Sequence, residues 1–300
     1  YFPGGSIGWR LTKERFMQTF LGGALDELKL RASLGELGDD QVGLPAFSYL
    51  EGYTYGQNGV SIINGSALAV SRDRGLPVTN VTWFKSITTD IGADFSLWNG
   101  KITGSLDWFY RKRSGLRAFK YDVLLPSELG YTLPPENVES DAQFGQEIQL
   151  SYNSNIGRDF NFTISGNVSY SRSKFLDSYK PTYLNSWDKY RFGREDRYLR
   201  IYWGYEVTGQ FASQEEINNY PVNIDGQGNR TLMPGDLIYK DANGDGKIDG
   251  ADERPIGYNG GQQPNLNYGL TISFTYKNFD FNADFSGAAG YTWLQNWETR

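Results

Sequence analysis

Three hundred residues carry 29 Lys plus Arg against 35 Asp plus Glu, a net charge of −6 without any long basic run, so nucleic acid is a poor partner. Cysteine and histidine are both absent. This excludes disulfide scaffolds, thiolate and imidazole metal sites, cysteine nucleophiles and Ser-His-Asp triads, and leaves carboxylate pairs as the remaining enzymatic option.

The chain opens on YFPGGSIGWR, with no initiating Met, basic n-region or apolar h-region, as expected of a processed or excised segment. No run of about 18 apolar residues follows, so no transmembrane helix is expected. The abundance of Gly (36), Tyr (21), Phe (18) and Trp (8), with a mean hydropathy of −0.54, instead describes an all-β chain whose apolar residues occupy alternate positions.

Period-two alternation predicts strands at 5–15 and 25–36. About 50 residues then separate Leu37 from strands at 87–98 and 101–112, which meet at the hairpin signal Asn99-Gly100. About 30 residues after Arg113 lead to strands at 143–153 and 160–171, joined by about six polar residues. In the second of these, Phe160, Phe162, Ile164, Gly166, Val168 and Tyr170 share one face, opposite Asn161, Thr163, Ser165, Asn167 and Ser169. A connection of about 90 residues, 172–264, precedes the last two strands, 265–276 and 279–290, which meet at Lys277-Asn278.

Short turns thus alternate with long loops. That asymmetry predicts an antiparallel up-and-down transmembrane β-barrel, with short periplasmic turns and long extracellular loops. Strands of this length cross the hydrocarbon core when tilted, and Trp98, Trp108, Tyr110, Phe160, Tyr170, Tyr276 and Phe279 stand near strand ends as interfacial aromatics do. The alternative is a secreted, soluble calcium-binding β-sandwich that recognises carbohydrate, in which the alternating faces are buried against each other. Asp90, Asp94, Asp107 and Glu147 fall on the polar face, as an acidic lumen lining or, less simply, a glycosidase carboxylate set. Arg111, Lys112, Arg113 and Arg117 lie where a strand leaves the membrane, either as a lipid-phosphate site or as a solvated loop base.

The loop 172–264 holds the remaining chemistry. Its stretch DKYRFGREDRYLRIYWGYE interleaves Tyr190, Phe192, Tyr198, Tyr202, Trp203 and Tyr205 with Arg191, Arg194, Arg197 and Arg200. Of these, Tyr190, Arg194, Arg197, Tyr198, Tyr202, Trp203 and Tyr205 are candidates for partner or substrate contact, since rigid aromatics and arginines dominate interfaces and aromatic faces stack on sugars. The competing reading is that they pack the loop's own small core. Ser213 to Glu216 has the form of a capping box.

Further on, DANGDGKIDGAD places oxygen donors at positions 1, 3, 5, 7, 9 and 12 of a calcium-type loop: Asp241, Asn243, Asp245, the Lys247 carbonyl, Asp249 and Asp252. Gly246 stands at the sharp turn, and Asp252 replaces the usual bidentate glutamate. Hard oxygen donors in this number suit calcium as a structural ion; the plainer reading is an Asx-turn loop with no ion. No apolar helical run flanks the loop, which argues against a sensor EF-hand.

FPGGSIGWRLTKERFM, LDELKLRASLGELGDD, TTDIGADFSLWNGKITGSLDWFYRKRSGL, GYEVTGQFASQEEINNYP, PGDLIYKDANGDGKIDGADERPIG and PNLNYGLTISFTYKNFDFNADFSGAAGY, in this order, resemble consecutive segments of a SusC/RagA-type TonB-dependent outer-membrane transporter. The resemblance covers nearly the whole chain and departs at Phe84, where an acidic residue is expected after Trp83. It implies about eight strands of a larger, 22-stranded barrel in the outer membrane of a Gram-negative bacterium, with plug domain and TonB box outside this segment. It implies import of an oligosaccharide or peptide, a SusD-like lipoprotein over the extracellular mouth, energy from the TonB complex, outer-membrane lipid around the barrel, and no catalytic residues. Eight strands alone would leave two unpaired edges in a bilayer, so the chain reads as part of a longer transporter.

Overall fold

The computed structural model describes residues 1–20, 24–40, 44, 46–120, 123, 125–179, 182–258 and 263–293. In chain order the strands are β1 (Gly4–Arg10), β2 (Leu25–Asp39), β3 (Tyr53–Ile63), β4 (Ser66–Asp73), β5 (Phe84–Leu97), β6 (Ile102–Ala118), β7 (Glu136–Ile156), β8 (Phe160–Asp177), β9 (Ile201–Gly204), β10 (Val207–Gln210), β11 (Leu237–Tyr239), β12 (Arg254–Tyr258), β13 (Leu266–Tyr276) and β14 (Phe279–Ala289). Among the described residues three short α-helices accompany them, α1 (Arg15–Phe20), α2 (Ser186–Phe192) and α3 (Gln214–Asn219). No helix among the described residues is long and apolar enough to cross a membrane.

The eight strands expected from alternation form one sheet in the order β1-β2-β5-β6-β7-β8-β13-β14, while β3–β4 and β9–β12 lie outside it in two-stranded sheets of their own. Residues 1–146, 173–182 and 194–197 form one compact unit, and 147–172, 183–193 and 198–300 a second.

In the first unit, the register pairs Leu30 with Ala93 and Ala93 with Leu106, and likewise Ala32, Ile91 and Trp108, so apolar residues share one face row by row. That face is uncovered: Leu34 and Ile91 remain 57% and 53% exposed. In the second, β13 pairs with β8 and β14 so that Ile272 stands opposite both Ile164 and Ala283, while Thr271–Asp284, Ser273–Asn282 and Thr275–Asp280 hydrogen bonds of 2.6–2.7 Å run along the other face. Among the described residues the only buried apolar side chains are Ala142, Phe211 and Ile217. The strand faces are therefore not packed against each other, which removes the β-sandwich reading: the apolar side needs a solvent other than water.

Several boundaries differ from expectation. The first strand ends at Arg10 rather than 15, because three charged residues in a row, Lys13, Glu14 and Arg15, give neither face an apolar member. The Trp9 indole donates to the Glu14 carboxylate at 3.0 Å as the chain turns. The expected two-residue turn at Asn99-Gly100 is instead the four-residue Trp98–Lys101, with Trp98, Asn99 and Gly100 all at positive φ. Asp26, at a register shift in β2, holds this turn by accepting the Gly100 N–H at 2.9 Å and the Ser96 hydroxyl at 3.3 Å. The β7–β8 turn shortens to Gly157–Asp159, and β6, β7 and β8 run well past the predicted ends on the long-loop side. The β3–β4 hairpin was not expected, although Asn64-Gly65 at its tip, both at positive φ, is a strong hairpin signal.

Candidate functional site

The excursion between β8 and β13 contributes residues 183–193 and 198–258 to the second unit, where they build a small folded body. Residues 180–181 and 259–262 of the predicted 172–264 loop lie outside the described residues. Ser213 caps α3 by accepting the Glu216 N–H at 3.2 Å, and the Glu216 carboxylate reaches back to the Ala212 N–H at 2.7 Å, one residue before the cap, so the expected box is present in a shifted form. Ile217 of this short helix is buried, as is Phe211, whose ring meets Tyr220 edge-on at 5.2 Å.

Residues 241–252 form a closed ring of side-chain to backbone bonds. The Asp241 carboxylate accepts the N–H groups of Gly244 (2.6 Å) and Gly246 (2.8 Å), both glycines being in the left-handed region. Asn243 accepts the Asp245 N–H, and Asp245 accepts that of Lys247, at 3.0 and 3.1 Å. The Lys247 ammonium donates to Asp249 at 2.6 Å and stands 3.8 Å from Asp245. Asp252, 1% exposed, takes the Ala242, Asn243 and Asp249 N–H groups, while Asp249 accepts that of Ala251, so the two acids cap each other's turn reciprocally. The Gly246 N–H bond comes first among the causes that hold the Asp241 carboxyl below its usual range.

This donor set fits a hard divalent cation in chemical type and spacing. Asp241, Asn243, Asp245, the Lys247 carbonyl and Asp249 would supply its oxygens, while Asp252 spends its own on amides. Among the described residues, however, no three acidic side chains converge on one point.

A second ring, which sequence spacing did not single out, is joined to the first. Asn223 exchanges backbone bonds with Gly246 (2.9 Å) and Ile248 (3.0 Å), a parallel bridge opposite Lys247. From there Asp225 accepts the N–H groups of Gln227, Asn229 and Thr231 and the Thr231 hydroxyl, all within 2.9 Å. Buried Asn229 closes the ring by accepting the Ile224 N–H and donating to the Val222 carbonyl. The alternate Asn, Asp and Gly residues of NIDGQGN carried the signal. Desolvation pushes the Asp225 carboxyl up, yet these four hydrogen bonds together hold it well below its ordinary 3.8. A depressed acid contributes stability that is fully present above its unfolded value and lost as pH falls through the folded one. The Gln227, Asn229 and Thr231 amides are therefore expected to stay protected from hydrogen exchange at pH about 4 and to open only in stronger acid. Opening already near pH 5 would contradict this.

The predicted contact residues divide between the two units. In the second, Tyr190 meets Trp203 edge-on at 5.2 Å and Trp187 at 5.4 Å, and the Arg191 guanidinium lies 4.7 Å from the Trp203 ring while pairing with Glu253. Arg254 lies over Trp187 at 4.9 Å, and Tyr205 packs edge-on against Tyr239 at 5.7 Å. Tyr198 lies under the Arg172 guanidinium (3.6 Å), which also faces Tyr258 at 4.6 Å. Tyr202 is half-buried in β9, opposite Gly257. In the first unit, Arg194 covers Phe175 at 3.9 Å, and the Arg197 carbonyl accepts the Phe175 N–H. Arg172, Arg191, Glu253 and Arg254 hold the aromatics in place and were not among the predicted contacts.

On the polar sheet face, Asp90, Asp94 and Asp107 gather around Arg31 of β2, at 3.9, 3.2 and 2.7 Å. Each acid serves one guanidinium, which is a structural use and leaves no free acid and base pair among them.

An antiparallel meander with one uncovered apolar face, one hydrogen-bonded polar face, short turns at one end and a folded loop at the other defines a segment of a transmembrane β-barrel wall. The chain is 27% identical over 302 residues to TonB-dependent receptor P26 of Formosa agariphila, covering 97% of this chain and 28% of that protein. It is 26% identical over 313 residues to TonB-dependent receptor SusC of Bacteroides thetaiotaomicron, covering 98% and 28%. Its fold matches the RagAB peptide importer in the open-open state with a TM-score of 0.65 at 17% identity, over 97% of this chain and 28% of that one. The closed-closed state gives 0.63 at 16% identity. No protein-family model matches. The chain is thus similar over nearly its whole length to curated TonB-dependent receptors, SusC among them, and spans about 28% of the length of the curated relatives it matches.

Proposed function

We propose that the protein containing this chain is a TonB-dependent importer in the outer membrane of a Gram-negative bacterium, taking up oligosaccharides or peptides with a SusD-like surface lipoprotein. The observation that carries this reading is the uncovered apolar face on a meander that matches an importer barrel over 97% of the chain. The loop 172–264 serves as an extracellular docking element, with Tyr190, Tyr198, Tyr202, Trp203 and Tyr205 of the second unit, and Arg194 and Arg197 of the first, as its contacts to lipoprotein or cargo. Calcium in residues 241–252 stiffens that loop, and affinities of about 0.1 to 1 mM suffice outside the cell. The reading is supported by the donor types at those positions and by the preformed backbone ring.

The test is to express the complete gene product and fractionate the envelope. Extraction only by detergent, with a lipoprotein in stoichiometric amount, is the expected result, and recovery as a soluble monomer would overturn it. For the ion, 1 mM calcium should raise protection of the Asp245 and Lys247 amides relative to chelator; identical exchange in both would remove calcium from the proposal.

A further inference from the structure

We propose that Lys112, with Lys85 diagonal to it, binds the phosphate of an anionic lipid headgroup at the long-loop end of the apolar sheet face. The inference rests on the outer-membrane reading above and adds a defined lipid site to it.

In sequence, Arg111, Lys112 and Arg113 form a single basic run, but the alternation of a strand divides it between two faces. Arg111 donates to Gln143 at 2.7 Å, and Arg113 makes a two-pronged pair with Asp141, so both are engaged on the polar side. Lys112 lies on the opposite side, in register with Ile87, which in turn stands opposite Glu36. The residues that precede it on that face are Leu106, Trp108 and Tyr110, with the last two rings stacked at 6.3 Å and 12°. Apolar, aromatic, aromatic, cation is the order met on passing from hydrocarbon through the interface to the headgroups.

The two lysines on this part of the face are paired differently. Lys85, paired opposite Ser114, gives its ammonium to Glu36 at 3.0 Å and is still 62% exposed. Of the two lysines, only Lys85 has an ion-pair partner among the described residues. The lysines occupy diagonal positions on neighbouring strands, about 7–8 Å apart by sheet geometry, a separation that two flexible stems close on one phosphate. The aliphatic and aromatic surface directly beneath selects a lipid over a free anion, because acyl chains cover what water would otherwise touch.

The test uses the full-length protein in a neutral detergent, with micelles doped either with phosphatidylglycerol or with diacylglycerol, and inorganic phosphate as a separate arm. Thermal stabilisation by phosphatidylglycerol alone is expected. Lys112→Gln should weaken its apparent affinity about fivefold, the size expected of one lysine at an anionic surface. Lys112→Arg should retain it, and the melting temperature in undoped detergent should not move. An unchanged response in Lys112→Gln, or inorganic phosphate matching the lipid, would overturn the proposal. A protein that stays in solution without detergent would instead sink the outer-membrane reading itself, so the two failures are distinct.

Discussion

Asp252→Ala is expected to unfasten both ends of residues 241–252 at once. One carboxylate accepts the Ala242 and Asn243 N–H groups at the start of the ring and the Asp249 N–H near its end, and it is 1% exposed. Removing it leaves three amides without their acceptor in a place water does not reach easily, at about 1 to 3 kcal/mol for each that stays unsatisfied. Water entry and local relaxation recover part of this, so a loss of about 3 kcal/mol in the stability of this body is the expected scale. Hydrogen exchange at Ala242, Asn243 and Asp249, and proteolysis within NGDGK, should both accelerate while β13 and β14 keep their protection. Asp252→Asn should rescue only part, because an amide group brings one acceptor and turns a donor toward the remaining N–H groups. Unchanged exchange at those three amides would show that Asp252 is not the latch.

Gly92→Ala is expected to break the charged cluster on the polar face without touching a charge. Arg31, Gly92 and Asp107 stand in one row across β2, β5 and β6, and the guanidinium reaches over the glycine to a carboxylate two strands away. A β-carbon on Gly92 would lie 2.3 Å from Asp107 Oδ1 and 2.9 Å from Arg31 Cζ, so one of them must leave. Asp107 is the less exposed partner, 16% against 34% for Arg31, and its Oδ1 has no hydrogen-bond partner among the described residues, so the displaced acid is poorly placed to find another. The expected loss is about 2 kcal/mol, below the figure for a fully buried pair because Arg31 retains water and Asp94. Denaturation of the full-length protein in detergent measures it, and a double-mutant cycle with Asp107→Asn assigns it. Fully additive effects would mean that the glycine matters for some other reason.

Strand existence was legible because period-two alternation reports directly on a sheet with two unlike faces, and all eight expected strands lie in the sheet. Their ends were less so. β7 runs from Glu136 through Ser140, Asp141 and Ala142, polar or small residues that show little alternation and are held by partners such as Arg113 and Asp177 that only the fold brings near. The turn at Trp98–Lys101 illustrates the same limit: Asn99-Gly100 signals a turn, but Asp26, 74 positions away, helps hold its four-residue form. In the loop, Asp241 to Asp252 could be read because its donors are regularly spaced in sequence, whereas Arg191 meets Glu253, 62 positions away, and no local pattern anticipates the pair.

The sequence alone pointed to an antiparallel, alternating-face β chain that resembles SusC/RagA-type receptors over nearly its whole length, because side-chain alternation and motif order are properties of the linear chain. Tertiary structure decided which charges are engaged. Arg111, Lys112 and Arg113 are equivalent in composition, yet strand register sends two of them to Gln143 and Asp141 and leaves the third on the apolar face. A one-residue step along a strand reverses the face, and the identity of what waits there depends on the neighbouring strand.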